Sequence, residues 1–374
     1  LLEHLSFRAS LAEYEKQAGE LWAGHQAAEP WALGIIHQKH PRFLDQEVRW
    51  LPLPISDAEI ARAHFDAGDA RLALARWYDF LDWAALTAYV EGVARDDSFE
   101  AAVEAVVGGD VAGLADLLRA HADLIHARSE RVAPFDPPRH RATLLHYVAA
   151  NGVEGYRQKT PPNAVDIAEA LLSAGADVDA LADMYGGQCT TMSLLVSSCH
   201  PARAGVQVAL VDKLADHGAS VGPSPLKTAL VFGYLDAAEA LVRRGAPVDD
   251  VAAAAGLGRV EDVKRLLPDS TPEQRHSAFA LSAQLGHTGV VRLLLEAGED
   301  PDRYNPPSHH AHSTPLHQAA LAGHLAVVRL LVERGARLDN RDKLWQGTPL
   351  GWAEHGAKKE VADYLRGCGD SGAH

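Results

Sequence analysis

Apolar residues along this chain fall into short recurring clusters. In residues 313–342, "STPLHQAALAGHLAVVRLLVERGARLDNRD", Leu316, Ala319 and Ala320 share one helix face, while Val327, Val328, Leu330 and Leu331 form the stripe of a second helix. Gly335 follows that stripe, where a left-handed residue ends a helix. The pattern predicts a short helix, a tight turn, a second amphipathic helix and an extended connector. Taking Thr314 as the start of this copy, further copies begin at Thr348, Ser277, Asp249, Ser224, Thr190, Thr143 and Glu100. They make an array of about eight units over residues 98–368, followed by a tail at 369–374. Residues 1–97 do not repeat. Helical periodicity there predicts about five helices, one of them running through "SDAEIARAHFDAGD" from a Ser56 cap, and a proline-rich connector, "RWLPLPIS". In this leader Trp77, Leu81, Trp83 and Tyr89 are expected to cover the apolar end of the first unit.

The segments "STPLHQAALAGH" and "GTPLGWAEHGA" carry a T-P-L-H-x-A-A type signature. On these residues the chain resembles the ankyrin-repeat family, and its leader, especially "YDFLDWAALTAYVE", looks like the helical segment ahead of some bacterial ankyrin arrays. The resemblance implies an all-α, curved ankyrin-repeat solenoid with β-turn fingers and an N-terminal helical cap. It also implies a protein or peptide recognition scaffold that binds across its concave face. His317, at the family's usual histidine position, is expected to tether turn backbone.

Departures from the regular unit carry the candidate chemistry. The connector from a helix-end glycine to the next unit is 13 residues from Gly335 to Thr348, but 6 from Gly218 to Ser224 and 4 from Gly245 to Asp249. It lengthens to 16 between Gly298 and Thr314. Short central fingers predict a depression over units four to six that uncovers Thr228, Phe232, Ala253 and Leu281. Phe232, together with Trp345 and Trp352 further along, supplies large candidate contact surfaces. The long finger holds His309, His310 and His312, but without the Cys or carboxylate spacing of a metal centre, so no metal is assigned.

Units two and three hold long insertions. Gly152 precedes Gly175 by 23 residues where Gly323 precedes Gly335 by 12, which places eleven extra residues between the helices of unit two. Unit three has seven extra, counted from Cys199 to Gly218. Tyr156, Arg157 and His200 in these insertions offer rings and cations for an anion or a peptide carboxylate. They serve equally to pin the loops to the scaffold, with Asn163 capping the next helix and Arg157 pairing with an acid. Tyr147, Asn151, Asp183, Tyr185 and Gln188 add a polar patch in the same units. An alternative small-molecule enzyme or metabolite sensor would use Asp183 or His146 as proton acceptor, Tyr147 or Tyr185 as donor, and Arg157 against substrate charge.

Composition narrows the partners. The 374 residues are 47% hydrophobic and carry a formal charge of -15, and no block of lysine or arginine offers a nucleic-acid backbone a counter-surface. No run reaches the roughly 20 apolar residues of a membrane span. Three cysteines fit a reducing compartment rather than a disulfide framework. No nucleotide, phosphate or zinc fingerprint occurs, so no cofactor is assigned. With 26 arginines to 9 lysines, the expectation is a monomeric protein of a bacterial cytoplasm, bound to protein or peptide, without membrane or nucleic acid.

Overall fold

The computed structural model describes residues 2–307 and 309–371. The chain divides into two compact units, one ending at Ser220 and the other starting at Val221. The leader contributes α1 (Leu11–Gln26), α2 (Pro30–Lys39), α3 (Asp57–Arg62), α4 (Ala67–Trp77) and α5 (Trp83–Arg95). Tyr14, Leu21, Ile36, Ile60, Leu74 and Leu86 from these helices are buried in one core. The single helix expected over residues 56–69 is broken. Ser56 and Glu59 do form the expected capping box, but Asp66 accepts from the Gly68 and Asp69 amides and starts a new helix.

Among the described residues eight helix pairs follow. In the first unit these are α6 (Ser98–Gly108) with α7 (Val111–Ala120), α8 (Leu144–Val148) with α9 (Ala164–Ser173), and α10 (Thr191–Leu195) with α12 (Gln207–Asp216). The insertion of the third pair folds as a separate short helix, α11 (Cys199–Arg203). Between the second and third pairs, β1 (Ala182–Met184) and β2 (Gly187–Cys189) form an antiparallel finger with Asp183 opposite Gln188.

The second unit holds α13 (Pro223–Val231) with α14 (Leu235–Arg243), α15 (Val251–Gly256) with α16 (Val260–Leu266), and α17 (Pro272–Gln284) with α18 (Thr288–Glu296). It continues with α19 (Pro315–Ala322) and α20 (Leu325–Glu333), then α21 (Pro349–His355) and α22 (Lys359–Ser371). The last helix therefore extends into the stretch expected to be a tail, of which residues 372–374 lie outside the described residues. Within each unit, first helices pack on neighbouring first helices, and second helices pack on one another from α7 to α12 and from α16 to α22.

Histidines join the pairs. His317 Nδ1 accepts from the Thr314 amide and lies 2.8 Å from its hydroxyl, while Nε2 reaches the Gly347 carbonyl at 3.1 Å. His146 repeats this with Thr143 and the Cys189 carbonyl. His324 reaches the Gln284 carbonyl at 3.0 Å, and its ring leaves no room at Gly286, where a Cβ would fall 2.7 Å from Nδ1 at a φ of +82°.

Candidate functional site

The insertion of the second pair is anchored by buried residues, although Gly155, Lys159 and Pro162 stay exposed. Arg157 is 1% exposed, its Nη1 paired with Glu100 at 2.6 Å and its Nε donating to Glu104 at 3.0 Å. Glu154, fully buried, meets Arg131 Nε and His140 Nε2, each at 3.1 Å. Burial would raise the Glu154 carboxyl, but Arg131, His140 and Arg157 overcome it and hold it far below the usual carboxylate range. Half-buried Tyr156 stacks on His4 of the leader and accepts from Arg131 Nη1 at 2.7 Å. The Gly155 amide donates to Asp79 at 2.7 Å. Of the two readings of Tyr156 and Arg157, partner contact and pinning of the loop, the structure shows the second: they tie the insertion to the leader and the first pair, with Arg157 near Glu100, Glu104 and Glu154. Asn163 stands at the start of α9 but does not cap it; its amide donates to the Gly109 carbonyl at 2.8 Å.

The polar patch separates into two environments. Tyr147 is wholly buried, with its hydroxyl unpaired among the described residues and its pKa driven well up by burial and by Glu154. Tyr185 is 71% exposed and donates to Asn151, whose amide in turn donates to Ser197 at 2.8 Å. Gln188 donates to Asp183 across the finger. The cavity beside Tyr185, about 450 Å³, is lined by Phe135, Val153, Gln158 and Met184 among others, and neither Tyr147 nor Asp183 reaches it. The expected convergence of Tyr147, Asp183 and Tyr185 is therefore absent. His146 cannot serve as an accessible base: it is sealed, its ring nitrogens are engaged, and burial lowers its pKa to about 4. His200 lies half-buried on α11.

In the second unit the expected depression is partly filled. Ala253 and Leu281 are buried, whereas Phe232 at the end of α13 is 52% exposed. The long finger folds back toward these helices. His310 Nε2 lies 3.3 Å from the Val231 carbonyl, and buried His309 is within electrostatic reach of Lys227, Asp250 and His276. The histidines thus pack against protein backbone and side chains.

An aromatic group stands on the last finger. Trp345 is 56% exposed, with its ring centroid 5.2 Å from His312 and 6.3 Å from half-buried Trp352. His312 lies 5.6 Å from Trp352, and His317 backs that indole at 5.2 Å. Asp342 organises the group from beneath. Fully buried, it accepts from the Leu344, Trp345 and Gly347 amides and from Trp352 Nε1 at 3.0 Å. Burial would raise its carboxyl, but these donors hold it below the ordinary value. The sequence reading missed Asp342; its signal is an acid two to five residues before the amides it collects, as in an Asx turn.

Stacked helix pairs joined through turn histidines, with an aromatic group displayed on a finger, define a helical-repeat protein. A family model described as ankyrin repeats (3 copies) matches residues 250–342. Cyclin-dependent kinase 4 inhibitor B of Bos taurus is 36% identical over 121 residues, which is 31% of this chain and 89% of the relative. The chain belongs to the ankyrin-repeat family. No helix among the described residues is long and apolar enough to cross a membrane.

Proposed function

We propose that the chain is a protein or peptide recognition scaffold with repeats over residues 98–368, and that the second unit carries the main contact surface. The observation that supports this most is the exposed Trp345, its ring against His312 and Trp352 and its backbone amide bound by the buried Asp342 carboxylate. An ordered, solvent-facing tryptophan offers large contact area at small entropic cost. Phe232 adds a second exposed ring in the same unit. The bovine relative is by name an inhibitor of a kinase, a protein target, which agrees with a protein partner here. The small-molecule enzyme reading on repeats two and three has less support, since of its two proton donors Tyr147 is sealed, and the cavity beside the other, Tyr185, is not lined by Asp183 or His146.

The test is affinity capture from lysate with the wild-type chain, Trp345→Ala and Phe232→Ala in parallel, with thermal unfolding of each. A specific protein captured by wild type and lost from Trp345→Ala at unchanged melting temperature is the expected result. Equal capture by all three chains counts against this surface.

A further inference from the structure

The leader carries a separate cleft of about 570 Å³ between the loop joining α2 to α3 and the segment at Pro134 and Phe135. Its size lies within the range of small-molecule sites. Three cations and two carboxylates line it: Lys39, Arg49 and Arg76 against Asp45 and Asp79. Both acids are already engaged. Asp45 accepts from the Glu47 and Val48 amides, each at 2.8 Å, and Asp79 takes Lys39 Nζ at 3.4 Å and the Gly155 amide. Arg49 and Arg76 form no ion pair among the described residues. Arg76 spends its Nε on the Leu81 carbonyl, and Asp82, whose charge is felt at Arg76, caps the Ala85 amide. Burial without a paired acid draws the half-buried Arg76 below arginine's ordinary pKa. Two guanidinium groups without a paired acid at one cleft make a local positive wall that an anion would neutralise. Beside them Trp50 is 64% exposed, and Phe135 forms part of the opposite wall.

We propose that this cleft binds a small organic carboxylate bearing an aromatic group, with Arg49 and Arg76 taking the charge and Trp50 and Phe135 flanking the ring. Charge-assisted contacts from a planar guanidinium favour a carboxylate, and the apolar walls favour a flat body over a bare inorganic anion. The site is independent of the aromatic group in the second unit.

The test is a titration of the full chain with 3-phenylpropionate, read by calorimetry and by the Trp50 indole N–H resonance, assigned with Trp50→Phe. Saturable binding is expected, weakened at least about tenfold by Arg49→Gln and unchanged by Arg119→Gln, an exposed arginine of the same unit. Arg49 is exposed and its side chain makes no hydrogen bond or ion pair among the described residues, so its variant keeps the fold where Arg76→Gln would also lose the Leu81 contact. The uncharged 3-phenylpropionamide and the ring-less acetate should both bind at least about tenfold more weakly. Absence of saturation up to about 10 mM, equal affinity for the amide, or an unaffected Arg49→Gln variant overturns the proposal. Tighter binding of the peptide acetyl-Ala-Ala-Phe would assign the carboxylate to a partner's C-terminus and overturn the small-molecule reading.

Discussion

At Glu154, two guanidinium groups and an imidazole meet one carboxylate with no access to water. Removing that carboxylate leaves Arg131 and Arg157 buried beside each other with reduced compensation. Glu154→Ala should therefore destabilise the first unit by about 3–5 kcal/mol in urea unfolding, and a loss below about 1 kcal/mol would contradict the network's role. A second residue-scale effect comes from histidines held neutral. His146 and His309 have folded pKa values of about 4 against an ordinary 6.5, lowered by burial first. Their contribution is complete above about pH 6.5 and is lost as pH falls toward 4, because the unfolded chain takes up the protons first. Urea unfolding at pH 7.0, 5.5 and 4.5 should show stability falling by roughly 2 kcal/mol or more across the series, and a flat profile would contradict it. The ion pair of Arg157 was legible in the sequence as one of two readings, but its partners were not, since Glu100 and Glu104 lie more than fifty residues upstream. Sequence spacing carries no information about which distant helix a loop will meet.

Elements with a local start signal were legible. Thr143, Thr190, Thr314 and Thr348 each stand as the cap of a first helix, because a threonine hydroxyl satisfies amides that the first turn leaves free. Short or interrupted elements were not. α11 has only five residues, too few to show a period, and the break before α4 depends on Asp66 capping backbone rather than on any change in hydrophobicity. The turns are less tolerant than their sequence suggests. Gly286→Ala combines a left-handed backbone with a clash against the His324 ring, and should cost about 1–3 kcal/mol in the second unit. Circular dichroism melts would register the loss, and an unchanged midpoint would mean that His324 moves aside freely. Replacing residues 154–162 by a short connector removes Glu154, Tyr156 and Arg157 together, so the first unit should lose stability by more than the single Glu154 variant does, measured by the same urea unfolding. Equal or smaller loss would show that the insertion is not the clamp its contacts indicate.

For the molecule as a whole, repetition and compactness mark different boundaries. Repetition begins near residue 98, and that was readable from the pattern of glycines and apolar stripes. The compact units divide after Ser220, and the first keeps the leader with three helix pairs: the insertion of the second pair bonds the leader through Tyr156 and Gly155, and Arg131 of the connector before α8 bonds the Tyr78 carbonyl, contacts that no periodic signal encodes. Hydrogen exchange on Glu154→Ala should thus rise in residues up to 220 and stay unchanged beyond, where the aromatic group resides. The proposed recognition role rests on that group, and the direct measurement is a calorimetric titration of the captured partner against wild type and Trp345→Ala. The account predicts at least about a tenfold loss of affinity for the variant at an unchanged melting temperature. Equal affinities for the two chains would contradict it.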